Sequence, residues 1–280
     1  MDKKNLIWLA SYPKSGNTWV RILLANYLNT ENKPIDINQI NTSIISSSRS
    51  IFDNSTAFLA SELKHDEVDI LRPEVYKKIS EEADDIVYIK THDANTENIQ
   101  GQNIFPSEIT KTIIHIVRNP LDVAVSFAHH SNISIDKSVE KLNINQKLAN
   151  GKKALNQQLR QILLNWSEHY LSWTDTNTSY LLVKYEDLLK NTEAEFRKII
   201  LHIYNEVDDT QIKNAVKQSS FKNLKSQEES GNFKERAVNS KAFFRKGIAG
   251  SWKEEMNKNQ IEKVINKHKK TMIELGYLGN

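Results

Sequence analysis

Four short apolar runs along the chain predict the central strands of a sheet. They are Leu6–Ala10, Ile86–Ile89, Thr112–Val117 and Tyr180–Val183. All four are too short to be helices, and three of them are rich in β-branched or aromatic residues, which favour strands. Because they are apolar along their whole length rather than at alternate positions, we expect a mostly parallel sheet that is covered by helices on both faces.

Apolar residues at helical spacing follow these strands and predict the covering helices. The positions are Trp19, Ile22, Leu23 and Tyr27 after the first strand, Leu121, Val125 and Ala128 after the third, and Leu188, Leu189, Phe196, Ile199, Ile200 and Ile203 after the fourth. Pro120, which stands before the second of these patterns, is common in the first turn of a helix. Strands that alternate with helices indicate an α/β fold, in which ligands bind at the carboxyl ends of the strands.

Three further segments differ from this pattern. Residues 154–173 carry their apolar side chains on one stripe, which predicts a helix packed against the core. Residues 30–60 and 226–242 are polar and have weak periodicity. Long loops in a compact domain often act as lids or binding loops, so we expect both segments to enclose a substrate.

Composition narrows the class of protein. The 280 residues are 39% hydrophobic and 26% charged, as in ordinary globular proteins, and we interpret residues 1–280 as one domain. The chain has no cysteine, which excludes disulfides, thiolate nucleophiles and thiolate zinc sites, and its net charge of +3 gives no argument for nucleic-acid binding. The first apolar run is shorter than a signal-peptide core of roughly 7–15 residues or a membrane span of about 20, so we expect a cytoplasmic protein without a membrane span.

A polar segment joins the first strand to the first helix and carries the features of an anion site. It reads Ser11-Tyr12-Pro13-Lys14-Ser15-Gly16-Asn17-Thr18-Trp19. Gly16 permits a tight turn, and the amides that follow lie at a helix N-terminus, where the dipole and the free N–H groups attract anions. Lys14 adds a positive charge, while Ser15, Asn17 and Thr18 add side-chain donors. Taken alone, the segment is also compatible with a capped turn that binds nothing.

The order of residues in this loop bears on the kind of anion. In nucleotide-hydrolysing P-loops the lysine follows the second glycine, whereas here Lys14 precedes Gly16. A Mg²⁺-dependent kinase or nucleotidase is therefore the weaker interpretation.

Five motifs occur in order along nearly the whole chain. They are Tyr12 to Trp19 (YPKSGNTW), Lys90-Thr91-His92, Val117 to Ser126 (VRNPLDVAVS), Tyr185-Glu186-Asp187, and Arg245 to Lys253 (RKGIAGSWK). Together they resemble the sulfotransferase family, and most closely its cytosolic members that act on small hydroxylated acceptors. The resemblance implies a P-loop-like, nucleotide-kinase-type fold with about five parallel strands. It also implies 3′-phosphoadenosine-5′-phosphosulfate (PAPS) as sulfuryl donor, with PAP as product and no metal.

The resemblance also implies catalytic roles for four side chains. His92 is the general base that removes the acceptor proton, a task that suits imidazole because its ordinary pKa is near neutrality. Lys14 stabilises the charge that develops on the leaving oxygen during an in-line displacement, and Lys90 stabilises the sulfuryl oxygens. Ser126 contacts the donor and restrains Lys14 until the acceptor binds.

Other residues are expected to bind the donor. Arg118 and Ser126 bind the 3′-phosphate, and Arg245, Lys246 and Gly247 form a second clamp on it, which we call the cationic clamp. Trp19, Tyr185 and Phe221 contact the adenine, and Ser219 or Ser220 bonds to it. The 5′ end lies on the loop formed by Lys14, Ser15, Gly16, Asn17, Thr18 and Trp19.

The acceptor is less defined than the donor. Its pocket is expected to be built from residues 30–60, 93–105, 127–153 and 226–242, and the acceptor group is a hydroxyl, with an amine as the alternative. Whether the acceptor is a phenol, alcohol, lipid, sugar or secondary metabolite stays open, as does a homodimer. The adjacent pair His129-His130 is rejected as a metal site, because neighbouring residues on a helix point about 100° apart.

Two alternative functions remain, and one residue differs from the pattern of the family. A P-loop-like kinase would need a metal-binding aspartate and a lysine after the second glycine, and a non-catalytic nucleotide-binding protein would have no need of His92. Position 251 is serine, where aspartate is commoner in the family.

Overall fold

The computed structural model describes residues 3–31, 33–40, 43–148, 158–174, 177–231, 233–236, 240 and 242–279. The chain divides into two compact units. The first unit consists of residues 1–12, 43–115 and 145–181, and the second of residues 13–42, 116–144 and 182–280. The prediction of a single domain over 1–280 stays a prediction.

A five-stranded parallel sheet has most of its residues in the first unit. Its strands, in the order in which they pair, are β2 (Ser43–Ile45), β3 (Val87–Thr91), β1 (Leu6–Ser11), β4 (Thr110–Val117) and β7 (Tyr180–Lys184). Leu6 pairs with Val87 at one end of β1, and Ala10 pairs with Thr91 at the other. The carboxyl ends of β1 and β3 are thereby aligned, and they lead directly into the two motifs that contain Lys14 and His92.

Helices account for most of the remaining described chain. They are α1 (Asn17–Leu28), α2 (Arg49–Thr56), α3 (His65–Glu82), α4 (Pro120–Ser131), α5 (Ile135–Asn143), α6 (Trp166–Thr174), α7 (Tyr185–Lys190), α8 (Thr192–Tyr204), α9 (Asp209–Gln218), α10 (Phe221–Gly231), α11 (Trp252–Glu255) and α12 (Lys258–Glu274). In the part of the chain that the structure describes, none of them combines the length and hydropathy needed to cross a bilayer.

The predicted strands and the first two predicted helices are confirmed. Each strand ends within two residues of its predicted boundary. One strand of the five-stranded sheet, β2, was missed, because it has only three residues, all half-buried, in a polar stretch. No helix follows β3 in the described residues 92–109, so the alternation of strand and helix is incomplete.

The helix predicted over residues 154–173 is wrong. Residues 154–157 lie outside the described part, and the remainder forms a short strand, β6 (Gln161–Leu164), followed by α6. Leu164 adopts a left-handed backbone with φ of 57°, which a continuing helix excludes. The strand β6 pairs antiparallel with β5 (Gln146–Leu148). The buried apolar side chains of the segment come from the strand region and from α6 rather than from one helix; they are Leu159, Leu163, Trp166, Tyr170 and Trp173.

Four other segments differ from their predicted structure. The long helix expected after β7 is split into α7 and α8 at Asn191, whose side chain accepts a hydrogen bond from the amide of Ala194 and so caps α8. Residues 226–231 continue α10 instead of forming a loop. Residues 49–56 form α2 inside the predicted loop 30–60, and α5 and β5 lie within 127–153.

Each unit has its own hydrophobic core. In the first unit Trp8 packs edge-on against Tyr76 and Phe105, with ring centroids about 5 Å apart. In the second unit Ile22, Ile37, Leu224, Phe233 and Phe244 form a buried cluster beneath α1, which we call the phenylalanine cluster. The phenylalanine cluster supports the helix that begins with the anion-binding loop.

Candidate active site

The loop between β1 and α1 has the backbone of an anion-binding turn. Lys14 and Gly16 both have positive φ, 71° and 107°, and a non-glycine residue in this region marks backbone strain that is common at functional sites. Gly16 is the N-cap of α1, and its carbonyl accepts hydrogen bonds from the amides of Trp19 (3.0 Å) and Val20 (3.2 Å). The loop therefore ends at a helix N-terminus, where N–H groups and the helix dipole favour an anion.

The polar side chains of this loop are buried, which is costly unless they bind a partner. Ser15 is 1% exposed, and its Oγ has no hydrogen-bond partner within the described chain. The hydroxyl of Thr18 donates to the carboxylate of Glu235 at 3.0 Å, and Arg21 forms an ion pair with the same carboxylate at 2.5 Å. An internal carboxylate therefore contacts one of the groups predicted to hold the 5′ end of the donor.

Tyr185, the first residue of α7, packs against the loop. A methyl group at Gly16 would lie 2.7 Å from the Tyr185 ring, so only glycine fits this contact. The Trp19 ring meets Tyr185 edge-on, with centroids 5.9 Å apart. Two of the three predicted adenine contacts, Trp19 and Tyr185, are thus adjacent.

Arg118 connects several predicted donor contacts. Its guanidinium lies 4.3 Å from the centroid of the Tyr185 ring, and its Nη1 and Nη2 donate to the carbonyls of Lys14 (3.3 Å) and Ile248 (3.0 Å). The Nε of Arg118 is buried and has no partner among the residues described. This N–H and the hydroxyl of Ser15 are two buried donors without a partner among the described residues, and phosphate oxygens are suitable acceptors for such groups.

The third aromatic residue contacts the cationic clamp. Phe221 opens α10, and a side chain at Gly247 would overlap the Phe221 ring. The indole N–H of Trp19 donates to the carbonyl of Ser219 (3.0 Å), which connects α1 to the segment before α10. The Ser219 hydroxyl accepts a hydrogen bond from Asn26 (3.0 Å), and Ser220 lies at the start of α10, half-buried.

The two cations of the clamp form ion pairs with carboxylates of α11. Arg245 lies 2.9 Å from Glu255, and Lys246 lies 2.9 Å from Glu255 and 3.3 Å from Glu254. His129 also contacts Glu255, at 2.6 Å. Burial raises the pKa of the Glu255 carboxyl, but the hydrogen bonds from His129 and from the clamp outweigh it and hold the pKa at about 2. The carboxylate is therefore charged at physiological pH and competes for the cations predicted to bind phosphate.

Ser251 has a local structural explanation. Its hydroxyl donates to Asp122, which is 1% exposed, at 3.0 Å, and the same carboxylate accepts from the amides of Gly250 (2.7 Å) and Trp252 (3.3 Å). The serine thus completes the hydrogen bonding of a buried carboxylate on α4 and fixes the chain that follows the clamp.

Ser126 and Lys14 complete the predicted set in the second unit. Ser126 is half-buried on α4. The ammonium of Lys14 lies 4.2 Å from the centroid of the Phe243 ring. Phe243 was not predicted from the sequence as part of the site.

The first unit holds the other two predicted catalytic residues. Lys90 is buried near the end of β3, and His92 follows the strand directly. The Nδ1 of His92 lies 2.8 Å from the carbonyl oxygen of Ser11 and 3.2 Å from its hydroxyl. Because a carbonyl can only accept, Nδ1 carries the proton in this contact, and Nε2 of the neutral ring keeps its lone pair.

A buried network anchors the backbone of His92. Asp93, which is fully buried, receives a two-pronged ion pair from Arg72 (2.8 and 3.2 Å), and its carboxylate also accepts from the amide of Ile162 (2.8 Å). The ring of His169 lies 3.2 Å from the carbonyl of His92. The residue predicted as base is therefore held on both sides by interactions with low exposure to water.

The structure thus groups the predicted donor-binding residues in the second unit and Lys90 with His92 in the first. Their roles stay predictions. Sequence patterns missed the partners of these residues, namely Ser11, Glu235, Phe243 and Glu255. Among the described residues, no group of three or more His, Asp and Glu is arranged to hold a metal ion.

Comparison with known proteins defines the class. The sequence model of the sulfotransferase domain matches residues 4–276, and the chain belongs to this family. It is therefore an enzyme of the transferase class, a sulfotransferase, as the motifs predicted.

Curated relatives are distant in sequence, and their matches cover between 54% and 94% of this chain. A flavonol 3-sulfotransferase of Flaveria bidentis is 26% identical over 283 residues, which cover 93% of this chain and 79% of the relative. An amine sulfotransferase of Oryctolagus cuniculus is 29% identical over 161 residues, covering 54% and 51%. The cytosolic sulfotransferase 12 of Arabidopsis thaliana is 24% identical over 277 residues, covering 94% and 76%.

Solved structures confirm the predicted fold class. Mouse sulfotransferase SULT7A1 complexed with PAP has a TM-score of 0.61 at 20% identity, covering 96% of this chain and 85% of that one. Retinol dehydratase in complex with androsterone and the inactive cofactor PAP has a TM-score of 0.64 at 18% identity, covering 96% and 81%. The chain thus has the P-loop-like sulfotransferase fold.

Proposed function

We propose that this sulfotransferase transfers the sulfuryl group of PAPS to a hydroxyl group of a small-molecule acceptor, with His92 as general base. The observation that carries the proposal is the position of Arg118. Its side chain contacts the anion-binding loop, an aromatic ring and the segment after the cationic clamp, and keeps a buried, unsatisfied N–H. A ligand with an aromatic base and phosphates at two positions satisfies all of these groups.

The donor groups of the second unit fit such a nucleotide. The amides of the loop and the Ser15 hydroxyl suit the 5′ end, and Arg118 with the cationic clamp suits the 3′-phosphate. Trp19, Tyr185 and Phe221 offer aromatic surface to adenine. Gly16 and Gly247 are positions where a side chain would collide with two of these rings, which supports a cradle shaped for a close ligand.

Three residues of the chain then have separate roles in the reaction. When bound, PAPS supplies a sulfuryl group on a phosphate leaving group. Lys14 places a positive charge where negative charge develops on the leaving oxygen, and such a charge stabilises the transition state more than the ground state. The hydrogen bond to Ser11 places the proton of the neutral His92 ring on Nδ1, so Nε2 is the atom that accepts the proton of the acceptor, and Lys90 stabilises the transferring oxygens.

The acceptor class rests on the relatives. Their names specify a flavonol, an amine and a 3β-hydroxysteroid as acceptors. We therefore propose a small acceptor with a hydroxyl group, an amine being the alternative. The cytoplasmic location expected from the sequence stays a prediction. A homodimer stays an open alternative.

The test is transfer of ³⁵S from labelled PAPS in the presence of a chelator. The acceptor panel includes a flavonol, a simple phenol, a 3β-hydroxysteroid and an aliphatic amine, and ATP with Mg²⁺ is assayed in parallel. We expect labelled product from PAPS without metal and no phosphoryl transfer from ATP. Phosphoryl transfer from ATP would instead support a kinase, and PAP binding by calorimetry without product from any acceptor would support a non-catalytic nucleotide-binding protein.

A further inference from the structure

An aromatic ring lies against the ammonium that the proposed reaction uses. The Nζ of Lys14 is 4.2 Å from the centroid of the Phe243 ring, which is within the range of a cation–π interaction. Both residues belong to the second unit, and Phe243 stands two residues before Arg245, the first residue of the cationic clamp. The chain that carries the clamp therefore also carries a contact for the lysine of the loop.

Phe243 is itself held in place. A single buried carboxylate, that of Glu228, accepts hydrogen bonds from the amides of Phe243 (2.7 Å) and Phe244 (2.9 Å), and Glu228 is only 4% exposed. The Phe243 ring packs edge-on against Phe233, with centroids 4.8 Å apart, and against His130, at 6.2 Å. Backbone and ring are thus fixed separately, so the ring forms a rigid surface rather than a mobile lid.

We propose that Phe243 is a positioning residue that holds the Lys14 ammonium ready for the sulfuryl donor, an inference that rests on the proposed function. A lysine has four rotatable side-chain bonds, and ordering it during the reaction costs entropy that prior placement avoids. A ring does this in a way that a carboxylate cannot. It attracts the cation through its face without adding a negative charge and without accepting a strong hydrogen bond.

The experiment compares three variants in the full-length protein. Phe243→Leu removes the ring, Phe243→Trp keeps and strengthens the cation–π contact, and Phe244→Leu is the matched control, because Phe244 belongs to the phenylalanine cluster next in the chain. Circular dichroism melts check that each variant folds. Lysine labelled with ¹³C at Cε gives a spectrum of the ligand-free protein, in which the Lys14 signal is identified by its loss in Lys14→Arg.

A ring over the ammonium shifts the Lys14 Cε–H signals upfield. We expect Phe243→Leu to abolish this shift and to lower kcat by about 3- to 10-fold, with the KM for PAPS changed by less than about 2-fold. Phe243→Trp retains the shift and kcat, and Phe244→Leu leaves both as in the wild type once folded.

Two results would overturn the proposal. One is a Lys14 signal that does not move in Phe243→Leu, and the other is a loss of kcat in Phe244→Leu equal to that in Phe243→Leu. Absence of sulfuryl transfer by the wild type with the upfield shift intact would refute the proposed function and leave the contact standing. Activity in the wild type without the shift would refute the contact and leave the function.

Discussion

The imidazole Nδ1 of His92 donates a hydrogen bond to the carbonyl oxygen of Ser11, 2.8 Å away. Ser11 ends β1, and the anion-binding loop follows it directly in the chain. The contact fixes the tautomer of the ring and leaves its lone pair on Nε2, the state that a general base needs. A backbone atom, rather than a carboxylate, thus orients the histidine.

Replacing His92 tests its role as base. We expect His92→Ala to lower kcat by roughly 10²–10⁴-fold, the usual range for a lost acid–base group, while PAP binding stays within about 3-fold of the wild type. Steady-state sulfuryl transfer and calorimetry provide the measurements. His202→Ala, on α8, is the control. Wild-type turnover of a folded His92→Ala protein would remove this residue from the mechanism.

The carboxylate of Glu255 is expected to oppose donor binding. Because it pairs with both cations of the clamp, Glu255→Gln should release them for the 3′-phosphate and lower the Kd for PAP by about 2- to 5-fold, in line with the value of partly exposed ion pairs. Calorimetric titration with PAP measures the change. Glu262→Gln, which removes an exposed carboxylate of α12, should have no effect. Weaker PAP binding in Glu255→Gln would mean that Glu255 orients the clamp instead of competing with the ligand.

Two glycines offer a matched pair for testing the cradle. Gly247 has φ of 63°, and a side chain there would overlap the Phe221 ring, whereas Gly250 has φ of 84° and no atom within 4 Å of an added Cβ. Both alanine variants incur backbone strain of order 1 kcal/mol, but only Gly247→Ala displaces a predicted adenine contact. We expect Gly247→Ala to weaken PAP binding by about 10-fold or more and Gly250→Ala to weaken it by less than about 3-fold. Equal losses in the two variants would contradict a specific role for the contact between Gly247 and Phe221.

Stability is expected to fall on mild acidification. Burial lowers the pKa of His169 to about 4, and burial likewise lowers the pKa of His268 to about 4. In the unfolded chain the pKa of histidine is about 6.5, so below this pH the unfolded chain binds protons that the buried imidazoles of the folded chain do not bind. The free energy of unfolding therefore decreases as pH falls from about 6.5 to 4. Urea unfolding at several pH values measures the slope. His169→Gln and His268→Gln should each flatten it, and unchanged slopes in both folded variants would contradict the assignment.

Continuous apolar runs allowed the long strands of the sheet to be predicted, and helical spacing after β1 and β4 allowed α1 and α4 to be predicted. The same periodicity misled over residues 154–173, because the left-handed backbone of Leu164 leaves no mark in the sequence. The strand β2 was invisible because three half-buried residues make no apolar run.

The candidate site, like the fold, could be predicted only in part from the sequence. Side chains in the motifs, such as Arg118 and His92, could be proposed from the sequence together with family resemblance. Their partners could not, because the Ser11 contact uses a backbone oxygen, and Glu255 and Phe243 act through contacts that only the folded chain creates. The sequence indicated which side chains could hold the donor. The structure adds the residues that these side chains contact within the chain.

The carboxylate of Glu255 gives the chain its own counterion at the cationic clamp, which is proposed to hold the donor. Donor binding is then an ion exchange, in which a phosphate replaces a tethered carboxylate and the number of ion pairs changes little. Since salt weakens the pairs that are lost as well as those that form, the affinity for the nucleotide should depend on ionic strength less steeply than its charge alone suggests.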